Sequence, residues 1–311
     1  MTHKANQIIQ LLLKFGLPLL CVLFIWHELA TSSTNFEPVF TVFERDNFGL
    51  ISFFLIVNLS LSGFNWLIDS LKWKTVLHPQ IDISIKTAIF QNLKSHSMAI
   101  FTPNRLGDYI AKAFFYDTSQ RQYVVFSNAV SQFSQLLTTI FFGSIGLVYF
   151  INFTFKKLQH VELLGLGLIA VLAIYIVARY HPKFRHKINR LKHYRIKFPK
   201  QIGLSLIKHL VFSHQLLFIL WTCGIELSYL DTIMAINVMY ILSSIIPSVF
   251  IVDVAIKGSL GLLIFGYLNQ DAGLILIAFS FMWLFNFALP ALVGSLLRGK
   301  YTNQLKPNVA A

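Results

Sequence analysis

Apolar stretches of about 20 residues recur along almost the whole of this 311-residue chain, and that recurrence constrains its fold more than any other feature. A helix rises about 1.5 Å per residue, so such a stretch crosses a hydrocarbon layer of roughly 30 Å. Lipid offers backbone N–H and C=O groups no partner, so these segments must bond internally as helices. The runs lie near residues 8–26, 48–68, 123–153, 163–178, 202–222 and 273–297. With 55% hydrophobic residues, 13% charged residues and a mean hydropathy of +0.63, the chain is too apolar for a water-exposed globule of this size. The expectation is a single all-α integral membrane domain over residues 1–311, a polytopic bundle of roughly seven to nine hydrophobic segments.

The net charge of +13 would point a soluble protein toward nucleic acid. Here the basic residues collect in short loops beside apolar segments, where they anchor to anionic headgroups, so membrane lipid is the expected partner and nucleic acid is not. Cys21 and Cys223 each sit inside an apolar segment, which excludes a disulfide framework or thiolate metal site and makes them packing residues. The stretch 8–26 follows Lys4 but no small-residue cleavage site follows it, so it reads as a retained span. No H-E-x-x-H, G-x-S-x-G or glycine-rich phosphate loop is present, and no cofactor or metal is expected.

Basic and acidic loops alternate. Residues 179–201 carry nine basic side chains, Arg179 to Lys200, and no acidic one, which marks a cytoplasmic loop. Lys72, Lys74 and Lys86 mark the connection after 48–68 the same way, as do Arg298, Lys300 and Lys306 for the C-terminus; the N-terminus is expected on that side too. Glu28, Glu37, Glu44, Asp46, Glu226, Asp231 and Asp271 mark the opposite side. Two regions, 87–116 and 233–268, are apolar overall but broken near their middles by proline, glycine and charge. The alternation is consistent only if each enters and leaves on one side, as a re-entrant or hairpin pair.

That requirement predicts two inverted-topology repeats, residues 47–153 and 202–298, each a span, a broken hairpin and a span. The hairpins echo one another: Pro103 precedes Asp108-Tyr-Ile-Ala-Lys112, and Pro247 precedes Asp253-Val-Ala-Ile-Lys257. Positions i and i+4 face each other on a helix, so each aspartate can pair its own lysine. A charge at mid-bilayer costs roughly 2.5 to 3.5 kcal/mol, so Arg105, Asp108, Lys112, Asp253 and Lys257 are expected to face an interior cavity. Proline-broken helix ends with free N–H groups, and the Arg105 fork beside Asn104, suit an anion such as a lipid phosphate. The alternatives at this point are shallow hairpins whose charges reach water at headgroup level, or a structural ion pair. Gln132 and Gln135 read as bundle-facing side chains bordering the cavity, His96 as a packed or interfacial histidine with a proton role as the alternative, and Trp73 as an interface aromatic.

Residues Phe101-Thr-Pro-Asn-Arg-Leu-Gly-Asp-Tyr-Ile-Ala-Lys112 resemble the P-x-R-x-G-E-x-x-R signature of the lysylphosphatidylglycerol synthase transmembrane region, a flippase-like family. Asp69-Ser-Leu-Lys-Trp-Lys resembles its basic-Trp-basic element, and Pro247, Asp253 and Lys257 occupy the place of its second motif. Carried over, Pro103, Gly107, Pro247, Gly258 and Trp73 are motif residues, and Asn104, Arg105, Asp108, Lys112, Asp253 and Lys257 bind substrate. The departures are Asp108 for Glu, Lys112 for Arg, Ser248 and Val249 for glycines, and Gln132-Phe133 for an acidic-arginine pair. The resemblance implies a multi-pass protein of the bacterial inner membrane that handles lipid rather than synthesising it. A membrane enzyme with Asp108 or Asp253 as general base, and a non-catalytic scaffold of envelope synthesis, are the competing readings. A second copy of the chain and an envelope-synthesis protein stand as further partners.

Overall fold

The computed structural model describes residues 23–27, 30–31, 48–99, 102, 106–155, 196–246 and 253–297. Most of the expected first span, the span at 163–178, most of the basic loop and the C-terminal Arg298, Lys300 and Lys306 lie outside the described residues, as do Pro103, Asn104, Arg105, Pro247 and Cys21. Within the described residues the secondary structure is helical, without strands. The helices are α1 (Phe48–Leu77), α2 (Ile85–Ala99), α3 (Leu106–Phe114), α4 (Thr118–Phe155), α5 (Phe198–Thr222), α6 (Tyr229–Ile245), α7 (Asp253–Tyr267), α8 (Ala272–Trp283) and α9 (Leu289–Leu296). A π-helical turn, Leu284–Ala288, joins the last two into one rod.

Four of these segments are long and apolar enough to cross a membrane: Phe48–Leu77, Thr118–Ile151, Phe198–Thr222 and Ala272–Leu296. Their polarity is turned outside in. On α1 the apolar Phe53, Ile56, Leu59 and Phe64 are exposed, whereas Asn58, Ser62, Asn65, Ser70 and Lys72 are buried. On α5, Gln201, Ser205, His209 and Ser213, every fourth residue, form a buried polar stripe. This arrangement suits a lipid surround, where apolar side chains face the solvent and polar ones must find partners inside.

Cross-helix bonds fix how the helices run. Gln215 Nε2 donates to the Asn58 carbonyl (3.1 Å), Lys208 pairs with Asp69 (2.7 Å), and Gln201 Nε2 donates to the Lys72 carbonyl (2.9 Å). As residue numbers rise on α1 they fall on α5, so the two pack antiparallel. The α2–α3 pair starts and finishes beside the C-terminal end of α1: the Tyr116 hydroxyl, just past α3, donates to Gln91 on α2, and Trp73 Nε1 donates to the same Gln91 oxygen, both at 2.8 Å. The α6–α7 pair closes at the other end, where the Glu226 N–H before α6 donates to Gln270 Oε1 after α7 (3.2 Å). Ser228 and Asp271 cap α6 and α8 at that same end.

Two close approaches join the halves. Gly143 and Gly146 of α4 lie against α6, where a side chain at Gly143 would collide with Ile241 and one at Gly146 would come within 2.8 Å of the Met234 carbonyl. Gly294 of α9 lies against the Leu93 carbonyl of α2. Small residues at such crossings let helix backbones approach where no hydrophobic force drives them together.

The π turn has a traceable cause. Pro290 has no N–H, which leaves a carbonyl in the preceding turn without its helical donor. Three consecutive carbonyls receive donors from the other half: Phe285 from Ser62 Oγ (2.5 Å), Asn286 from Trp66 Nε1 (3.2 Å) and Phe287 from His96 Nε2 (3.2 Å). The last contact puts a proton on His96 Nε2, since a carbonyl only accepts.

Two expectations are corrected here. The span expected over 48–68 continues to Leu77, because its last turns pack against α2, α4 and α5. Lys72 is consequently not a loop residue and Trp73 is not an interface aromatic: both are 1% exposed.

Replacing Gly294 or Gly146 with leucine is expected to lower stability by about 1 to 3 kcal/mol, through forced separation of packed helices. Leucine at Gly203, which has open space around it, should change little. Thermal unfolding of the purified variants in detergent checks both.

Candidate functional site

Helices α3 and α7 hold Gly107, Asp108, Lys112, Asp253, Lys257 and Gly258, which sequence alone brings forward. Where α2 ends, Thr102 Oγ1 donates to the Ala99 carbonyl (2.9 Å) and accepts from the Gly107 N–H (2.8 Å), which folds the chain directly into α3. A side chain at Gly107 would stand 2.7 Å from Thr102 Oγ1 and 2.8 Å from the Met98 carbonyl, so glycine is what lets α3 back onto α2. Asp108 lies in the first turn of α3, where a carboxylate complements the positive end of the helix dipole. α3 then presents two unlike faces. Leu106, Ile110 and Phe114 are exposed at four-residue spacing, and Gly107, Asp108, Ala111 and Lys112 are buried.

The buried face forms a closed polar triangle. Lys112 Nζ donates to Asp108 Oδ2 and to Asn128 Oδ1, each at 3.1 Å, and Asn128 Nδ2 donates back to Asp108 Oδ2 at 2.9 Å. The ammonium also stands 4.7 Å from the centre of the Trp73 ring, a cation–π distance. With two oxygens and a π face, the donors of Lys112 are fully occupied. Behind Trp73, Gln91 accepts from both the indole and Tyr116. Burial at the hairpin mouth raises the Tyr116 hydroxyl above its ordinary range, so it stays a donor.

Helix α7 carries a second Asp–Lys pair in a more open setting. Lys257 Nζ meets Asp253 Oδ2 at 2.6 Å and stands 4.8 Å from the centre of the Phe287 ring. Both side chains keep nearly a fifth of their surface exposed. Beside Lys257 lies a cavity no larger than a water molecule, walled chiefly by aromatic and aliphatic side chains, with Tyr240, Trp283 and Phe287 among them. Gly258 sits on the buried side of α7, facing Leu276 of α8.

Each aspartate therefore pairs its own lysine at i, i+4, as the spacing requires. Among the described residues no hydrogen bond or ion pair joins one pair to the other. They are linked through α2 instead, since Gln91 holds Trp73 under Lys112 while His96, five residues on, holds Phe287 under Lys257. His96 is thus a packed histidine, edge-on to Trp66 with ring centres 4.6 Å apart. Gln135 accepts from Lys72, and Gln132 is half-buried on the same helix.

No family model, no curated protein and no solved structure matches this chain. The resemblance to the lysylphosphatidylglycerol synthase transmembrane region rests on its motif residues.

A charged group that sequence reasoning missed sits beside the first pair. Lys72 Nζ donates to the Ser131 carbonyl and to Gln135 Oε1, both at 3.2 Å, and makes no salt bridge with any described residue. The carboxylate nearest in sequence, Asp69, is engaged by Lys208 of α5. Ser134 and Ser205 share a hydrogen bond of 2.9 Å one turn away, tying α4 to α5. A readable signal existed: Asn58, Ser62, Asn65, Asp69 and Lys72 recur at three- and four-residue spacing on α1, the side of the helix that turns inward. The basic-Trp-basic run at the end of an apolar stretch masked it by matching a cytoplasmic flank.

Replacing Asp108 with alanine strands the Lys112 ammonium and is expected to cost about 3 to 5 kcal/mol of stability. The double variant D108A/K112M should recover most of that loss, because no unpaired charge is left behind. Denaturant titration in mixed micelles measures the cycle.

Proposed function

We propose that this chain is a flippase-like membrane protein, related to the lysylphosphatidylglycerol synthase transmembrane region, that binds and translocates a lipid with an anionic, phosphate-bearing headgroup. The observation that carries the reading is the pair of hairpins opening at opposite ends of the bundle, each with an Asp–Lys pair on its second arm. Alternating-access transporters have this design, with interrupted helices in corresponding places of two inverted repeats and the substrate site between them.

Three further observations support two inverted repeats. Exchanging α1 for α5, α2 for α6, α3 for α7 and α4 for the α8–α9 rod maps every principal helix contact onto another, for instance α4 on α6 onto α9 on α2. The first helices of the two halves, α1 and α5, run antiparallel. The glycine crossings are exchanged by the same operation, Gly146 on α6 for Gly294 on α2. Lys74, Lys86, Lys197 and Lys200 gather at the end where the first hairpin opens, and Glu226, Asp231 and Asp271 at the other, so the first end is cytoplasmic in this reading. The protein then resides in the bacterial inner membrane, with both termini in the cytoplasm.

In this scheme the hairpin tips meet the headgroup. Asn104 and Arg105 lead into α3 and supply the fork for a phosphate, while the Asp108–Lys112 and Asp253–Lys257 pairs hold the second arms rigid and balance charge. The apolar outer face of α3 borders the acyl chains.

The test is translocation of headgroup-labelled phosphatidylglycerol in proteoliposomes. Wild type should exceed protein-free vesicles, and Arg105→Ala should be at least about tenfold slower. Wild-type rates equal to those of empty vesicles, or an unaffected Arg105→Ala, would contradict the reading.

A further inference from the structure

The hairpin lysines are occupied, so the cation with capacity to spare lies elsewhere. Lys112 spends its donors on Asp108, Asn128 and the Trp73 face, and Lys257 is held by Asp253 and the Phe287 face. Lys72 is different. It is 1% exposed, among the described residues its amine touches two neutral oxygens, Ser131 O and Gln135 Oε1, and an ammonium has a third donor beyond these.

Charge balance around it points the same way. Lys72, Lys112 and Lys208 gather with Asp69 and Asp108, and Asp69 lies within electrostatic reach of all three lysines. Among the described residues three formal positive charges face two negative ones, each negative one already paired, and the surplus falls on Lys72. The groups bonded to the Lys72 amine are neutral, Ser131 O and Gln135 Oε1 on α4, and the charged neighbours Asp69, Lys112 and Lys208 are engaged in their own pairs. When protonated, an amine enclosed by helices with only neutral partners is stabilised by a counter-anion.

We infer that Lys72, with Gln135 beside it, is the resting place of a singly charged phosphate group, at the junction of α1, α4 and α5. The inference deepens the lipid-handling reading and rests on it. The junction is also where the two halves are clasped, by Asp69–Lys208, by Ser134–Ser205 and by Gln201 on the Lys72 carbonyl. An entering phosphate competes with Asp69 for Lys208 while it neutralises Lys72, so binding loosens that clasp. Anion entry and separation of the halves are thereby one event. The same phosphate chemistry is offered by a lipid headgroup and by free phosphate, and the sources are told apart by the apolar chains that follow only one of them.

The experiment uses the full-length protein in zwitterionic nanodiscs and three probes: dihexanoyl phosphatidylglycerol, dihexanoyl phosphatidylcholine and inorganic phosphate. Binding is read by thermal shift and calorimetry for wild type, Lys72→Met and Lys72→Gln. The expected result is wild-type binding of phosphatidylglycerol, at least about tenfold weaker binding by both neutral variants, and melting temperatures of the ligand-free variants no lower than wild type, since a surplus charge has been removed. Tighter binding of phosphatidylglycerol than of inorganic phosphate identifies the lipid as the source; the reverse identifies the free anion and removes the lipid. A folded neutral variant that binds phosphatidylglycerol as tightly as wild type overturns the Lys72 assignment and leaves the proposed function standing. Failure of both variants to fold makes Lys72 a structural residue and overturns the assignment as well. Wild type that binds neither anionic probe overturns both readings.

Discussion

A hydrocarbon surround supplies no hydrogen bonds, and the rest of this structure follows from that constraint. A polar side chain on a span is least costly where it turns inward and finds a partner in the chain itself. Asn65, Asn286, Gln215 and Asn58 form such a chain, with Asn65 Nδ2 donating to Asn286, Asn286 Nδ2 to Gln215 and Gln215 Nε2 to the Asn58 carbonyl. It joins α1, the π turn and α5 without a single charge. The same requirement explains why the π turn is tolerated: its carbonyls are met by Ser62, Trp66 and His96 from the other half. A helix defect after residue 283 is thus stabilised by side chains of α1 and α2.

Charge obeys the same rule more severely. The Asp108–Lys112–Asn128 triangle is self-contained, which makes it a rigid support rather than a group waiting for a ligand. It fixes the start of α3 against α4. The second pair is more exposed and lies beside a small cavity.

Much of this could be read from the sequence, for reasons that differ by element. The spans at 202–222 and 273–297 come within a few residues of α5 and the α8–α9 rod because long apolar runs with polar borders leave little choice. The i, i+4 pairing of Asp108 with Lys112 and Asp253 with Lys257 follows from helix geometry once the segments are taken as helical. Lys72 and Trp73 were misread because a helix end is set by what packs on it: α2, α4 and α5 carry α1 two turns past its apolar run. Asn128, Gln91, Gln201 and Lys208 were out of reach for a related reason, since each matters only through a partner 16 to 139 residues away. The π turn was equally hidden, because Pro290 announces a carbonyl without its helical donor but not the side chains that meet the turn.

The central claim is that the two hairpins enter the membrane from opposite sides. Single cysteines placed at Lys86, at the mouth of the first hairpin, and at Asn269, at the mouth of the second, in a background with Cys21 and Cys223 replaced by alanine, test it in oriented vesicles. A membrane-impermeant maleimide should label Lys86→Cys only from the cytoplasmic face and Asn269→Cys only from the opposite face. Labelling of both positions from one side would contradict the account.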